Sequence, residues 1–80
     1  MATLTLISRT YCHLCHEMER LLIPIADEFG VDIEILDVDA DPALEVLYDD
    51  KVPVLIHAGK ELCHYHLDIA GLRDYLGKIG

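Results

Sequence analysis

Leu14, Met18, Leu21, Leu22, Ile25, Ala26 and Phe29 recur at i, i+4, i+7, i+8, i+11, i+12 and i+15. This is one broad apolar stripe along a long helix, and Gly30 follows it as a C-terminal cap. Strand-like runs flank the helix on both sides. Residues 3–8 alternate and then turn apolar through Thr3, Leu4, Thr5, Leu6 and Ile7, and residues 31–38 form a second apolar run. A strand–helix–strand unit requires a right-handed crossover, so these two strands pair in parallel. The chain has 80 residues, which leaves room for one domain spanning 1–80, and its 52% hydrophobic content suffices for a packed core. Pro24 is discordant: it removes a helical N–H bond and predicts a kink or a split near residue 20.

Asp41-Pro42 supplies a side-chain cap followed by proline at the first helical position, which predicts a short helix over residues 43–48. Val52-Pro53-Val54-Leu55-Ile56 reads as a third strand. Ala58-Gly59-Lys60 is a turn into a fourth strand over residues 61–66, making an antiparallel hairpin. Asp68 caps a last helix whose apolar positions Ile69, Leu72, Leu76 and Ile79 recur at i, i+3, i+7 and i+10. The predicted class is α/β, in the order β-α-β-α-β-β-α, with a mixed four-stranded sheet flanked by helices.

Cys12 and Cys15 stand where the first strand passes into the long helix. A helix start directs unpaired N–H groups and the positive end of the macrodipole at whatever sits there, which favours a thiolate over a thiol. Cysteines so placed fall from about 8.5 into roughly the 3.5–7.5 range. Since the thiolate attacks disulfides, the spacing points to thiol–disulfide chemistry, with Cys12 as attacker and Cys15 as the resolving thiol one turn on.

The formal charge of −9 argues against nucleic acid and anionic membrane as partners. The first residues lack the basic start and long apolar stretch of a secretory signal, and no run approaches the ~18 apolar residues of a membrane span. These features predict a soluble, cytoplasmic chain. Three cysteines are too few, and odd in number, for a disulfide framework.

The element order, the length and the Cys-x-x-Cys at the first strand–helix junction together resemble the thioredoxin fold in its minimal, glutaredoxin-like form. Ser8-Arg9-Thr10-Tyr11-Cys12 is similar to the Ser-Lys-Thr-x-Cys approach to the glutaredoxin active site. Asp37-Val38-Asp39-Ala40-Asp41-Pro42, with Tyr48 after it, is similar to an Asp-x-Asp-x-x-Pro segment of thioredoxin-like chains. Val52-Pro53 lies where the family carries a cis-proline facing the cysteine pair. The resemblance implies a disulfide oxidoreductase without a cofactor, with Arg9, Tyr11, Val52 and Pro53 binding substrate and Arg9 supporting the Cys12 thiolate. The backbone of Val52 would pair with an extended substrate strand. The implied substrates are protein disulfides or small thiols. Where glutaredoxins carry a Gly-Gly turn against a glutathione carboxylate, this sequence has Cys63-His64, followed by Tyr65 and His66, and Lys51 stands in for Thr. Weak glutathione binding and a reductase-type or dithiol electron donor are therefore expected.

Two other readings use the same residues. Cys12 and Cys15 with Cys63, His64 or His66 offer thiolate and imidazole ligands of the kind zinc and iron–sulfur clusters take. Alternation along the fourth strand sends Cys63 and Tyr65 to one face and His64 and His66 to the other, so at most part of that set converges. The second is a non-catalytic interaction domain. Cys63 by itself reads as a small core residue, and His16 as part of the active-site rim. Cys12-His13-Leu14-Cys15-His16 also matches the C-x-x-C-H pattern of c-type haem attachment. That reading fits poorly with a complete α/β unit lacking an export signal. Asp37, Asp39 and Asp41 imitate a calcium loop, but Pro42 and Tyr48 replace its Gly and its bidentate Glu. Asp49-Asp50 reads as a solvated helix end.

Overall fold

A computed structural model describes residues 2–79; Met1 and Gly80, the ends of the predicted 1–80 domain, lie outside them. The elements are β1 (Thr3–Ser8), α1 (His13–Phe29), β2 (Asp32–Asp37), a 3-10 turn (Val38–Ala40), α2 (Pro42–Tyr48), β3 (Val54–His57), β4 (Lys60–His64) and α3 (Ile69–Ile79). The sheet runs β2-β1-β3-β4. β1 pairs in parallel with β2 and antiparallel with β3, and β3–β4 is the antiparallel hairpin. This is the mixed α/β architecture that the sequence predicts.

Two apolar clusters occupy the two faces of the sheet. One joins Leu4, Leu6 and Leu55 to Met18, Leu22 and Ile25 of α1 and to Leu72 and Leu76 of α3. The other, smaller, holds Ile7, Val38 and Val54, with Leu44 and Tyr48 of α2 packed on it. Full burial of such a side chain contributes about 1.5–3 kcal/mol, so the helices are held by their apolar faces more than by propensity. Gly30 ends α1 at φ 66° and ψ 30°, donating to the carbonyls of Ala26 and Asp27. That left-handed conformation is one that glycine adopts without a Cβ penalty.

Several boundaries differ from expectation. α1 runs unbroken through Pro24 rather than splitting near residue 20. Pro24 and Arg20 both lie on the exposed face, so the Arg20 carbonyl that loses its partner opens to solvent while the buried stripe stays packed. The second strand stops at Asp37 because its side chain accepts from the Asp39 N–H (2.9 Å) and turns the chain, which buries Val38 in the second cluster. The third strand starts at Val54, after Pro53. The fourth ends at His64, because Tyr65 turns left-handed at φ 62°. A bulge between Leu55 and Ile56 pairs Leu55 with Cys63 and Ile56 with Glu61. Strict alternation on β4 is therefore lost, and both Leu62 and Cys63 pack on the larger core.

Candidate active site

All four strands deliver chain to one end of the sheet. Ser8 pairs with Asp37, Ile7 with Val54 and Val54 with His64. The segments that follow or precede these positions, 9–12, 38–41, 49–53 and 64–68, thus converge around the start of α1.

Cys12 is the N-cap of α1, with extended backbone (φ −107°, ψ 112°), and its Sγ accepts the Cys15 N–H at 3.0 Å. Sulfur here takes the place of the Ser or Asp oxygen that ordinarily caps a helix. Cys12 and Cys15 are joined as a disulfide with Cα atoms 5.1 Å apart. The two residues differ sharply in access. Cys15 is the first member of the buried helical stripe that continues through Met18, Leu22, Ile25 and Ala26, and it has no exposed surface. Cys12, three residues earlier and outside the first turn, is partly exposed. Residues three apart share a helix face, so the asymmetry comes from the extended N-cap position of Cys12, which keeps it out of the helical stripe.

Tyr11 stands immediately before Cys12 and is 97% exposed. The Val52–Pro53 bond is cis; Pro53 is fully buried, and half-buried Val52 packs on the smaller cluster. The Pro53 carbonyl accepts the Tyr65 N–H (2.9 Å), and the Tyr65 hydroxyl donates to the Asp50 carbonyl (2.6 Å). Tyr65 therefore laces the end of the hairpin to the segment before β3. A groove of about 200 Å³ opens between Leu14, Glu17, Met18 and Leu21 of α1 and Tyr65, His66 and Leu67.

Arg9 is placed differently from a group waiting for a ligand. Its Nε and Nη2 donate to the two carboxylate oxygens of Asp39, both at 3.0 Å, Nη1 donates to the Asp49 carbonyl at 3.3 Å, and Nη2 also contacts the Asp49 carboxylate. Hydrogen bonds first to Asp39 and then to Asp49 raise the guanidinium's already high pKa further. Asp49 is thus an ion-pair partner rather than a merely solvated helix end, and Asp50 supplies the carbonyl that Tyr65 uses. These pairings cross 30 and 40 residues of sequence and left no local signal beyond a lone basic residue in an acidic chain.

Cys63 is the free cysteine. It lies on β4 opposite Leu55 and packs under the larger core. Burial pushes its thiol up, and the charges of Asp68 and Glu61 add to this, against a hydrogen bond from the Asp68 backbone. His64 instead turns to Glu61, Nδ1 to Oε2 at 3.0 Å. Among the described residues no three His, Cys, Asp or Glu side chains gather as a metal site would require. No described helix is long and apolar enough to cross a membrane.

The sequence profile of the glutaredoxin-like domain (DUF836) matches residues 3–77. A protein of Nitrosomonas europaea solved by NMR is similar at 37% identity and TM-score 0.81, covering 92% of this chain and 89% of that one. An uncharacterized protein of Mycobacterium tuberculosis is 29% identical over 73 residues, 85% of this chain and 75% of the relative. Thioredoxin 1 of Thermosipho africanus superposes with TM-score 0.69 over 96% of this chain and 92% of its own; at 20% identity this likeness is one of fold.

Proposed function

The chain belongs to the glutaredoxin-like domain family, and from that premise we propose that it is a dithiol–disulfide oxidoreductase acting through Cys12 and Cys15. The observation that carries the reading is the asymmetry of the pair: a partly exposed sulfur capping a 17-residue helix beside a fully buried one. In the reduced protein the Cys15 N–H and the helix dipole stabilise negative charge on the Cys12 sulfur, which lowers its pKa and arms it. The Cys12 thiolate attacks one sulfur of a target disulfide, forming a mixed disulfide and expelling a target thiolate. Cys15 then attacks the Cys12 sulfur and breaks that bond, and the released thiolates take up a proton from Cys15 and one from solvent. The target gains two electrons as two thiols. The chain is left with the Cys12–Cys15 disulfide, which a dithiol or reductase-type donor returns to two thiols.

Tyr11, Val52 and Pro53 form the docking rim for an extended substrate segment, with the Val52 backbone as the pairing edge. Glutathione is a poor ligand on this reading. The Arg9 charge is already committed to two carboxylates, and the net charge of −9 disfavours an anionic tripeptide. Trapping tests the assignment. Cys15→Ser should accumulate mixed disulfides with substrate, visible by mass spectrometry, whereas Cys12→Ser should trap none because Cys15 is buried. Equal trapping by the two variants would reverse or abolish the roles.

A further inference from the structure

We propose that Arg9 is a positioning residue for Cys12, acting through its ion pairs with Asp39 and Asp49 rather than through its charge or through contact with substrate. The inference rests on the thiol–disulfide reading above. Residues 9–12 form a turn closed by the Cys12 N–H donating to the Arg9 carbonyl at 3.2 Å, so the backbone of Arg9 sets where the N-cap sulfur sits. The Arg9 side chain is clamped at its far end by two separate elements. Asp39 is offered by the 3-10 turn, which Asp37 caps and which buried Val38 pins to the smaller core. Asp49 is offered by the end of α2, a helix capped by Asp41 through the Ala43 N–H at 2.9 Å. Both anchors are thus held by contacts of their own elements, independent of Arg9. Isolated exposed ion pairs contribute little to global stability, whereas a bidentate fork inside a network fixes geometry. Lysine cannot reproduce that fork, since it is a point charge on a flexible stem.

This role separates from a through-space effect by sign. If Arg9 acted by charge, removing it would raise the Cys12 pKa, and removing Asp39 would lower it, with the double change near the starting value. If Arg9 acts by position, both losses release the same turn. The test is the pH dependence of Cys12 alkylation in the reduced protein for Arg9→Gln, Arg9→Lys, Asp39→Asn and the Arg9→Gln/Asp39→Asn double variant, each with its melting temperature. We expect both neutral single variants to move the inflection up by about half a unit or more, with the double variant no further than the larger single shift. Arg9→Lys should follow Arg9→Gln, and the melting temperatures should stay near wild type. Opposite shifts, an Arg9→Lys variant like wild type, or no shift at all would overturn the positioning role. The reading of Cys12 as an activated thiol fails separately, if the wild-type inflection itself lies near 8.5.

Discussion

At the scale of single residues, the chain separates its three cysteines by environment. Cys12 caps a helix, Cys15 is sealed in the helical stripe, and Cys63 sits half-buried against the larger core. Burial disfavours the Cys63 thiolate, so its thiol keeps its proton to a higher pH than a free cysteine. In the reduced protein Cys63 should therefore alkylate more slowly than Cys12 at pH 7, with an inflection above that of free cysteine. Residue-resolved mass spectrometry of a timed iodoacetamide reaction reads both, and faster labelling at Cys63 would contradict the assignment. The Cys12–Cys15 pair and its place at the start of α1 were legible in the sequence, because a local spacing and a helix start define them. The partners of Arg9 were not. Asp39 and Asp49 come to it only through the β1–β2 register and the end of α2, and no spacing along the chain encodes that meeting.

At the scale of elements, every predicted strand and helix exists, and the differences lie at ends and interruptions. The apolar stripe of α1 was long enough to announce the helix, and packing of Met18, Leu22 and Ile25 carries it across a proline that propensity alone would place at a break. Proline in an exposed helix interior is about 3 kcal/mol less favourable than alanine. Pro24→Ala should accordingly raise the urea midpoint at unchanged slope, by an amount equivalent to about 1–3 kcal/mol; a lower midpoint would mean that Pro24 serves a local geometry. The end of β4, at His64 rather than 66, differs for another reason. His64, Tyr65 and His66 continue a strand-like pattern, but Tyr65 adopts a left-handed conformation while donating to Pro53 and Asp50. Those bonds are tertiary, so alternation could not reveal them. The bulge that turns both Leu62 and Cys63 to the core is likewise set by tertiary pairing, which alternation does not encode.

At the scale of the whole molecule, four strands bring a capped cysteine, the Pro53 segment, a tyrosine latch and an ion-paired arginine to one end of the sheet. We propose that the net charge of −9 and the ion-paired Arg9 disfavour glutathione at this end. Amide shifts on titrating reduced glutathione into the reduced protein should stay small and unsaturated at millimolar concentration; saturable shifts around Arg9, Cys12, Pro53 and His64 would contradict that. On the proposed function, Cys12 and Cys15 form a working redox couple rather than a structural crosslink. Equilibrating the protein in dithiothreitol buffers of graded potential, quenching with alkylating agent and weighing the Cys12–Cys15 peptide measures this directly. A two-electron transition is expected between about −270 and −120 mV, the range of dithiol oxidoreductases. A pair that remains oxidised below about −300 mV, as structural disulfides do, would contradict it.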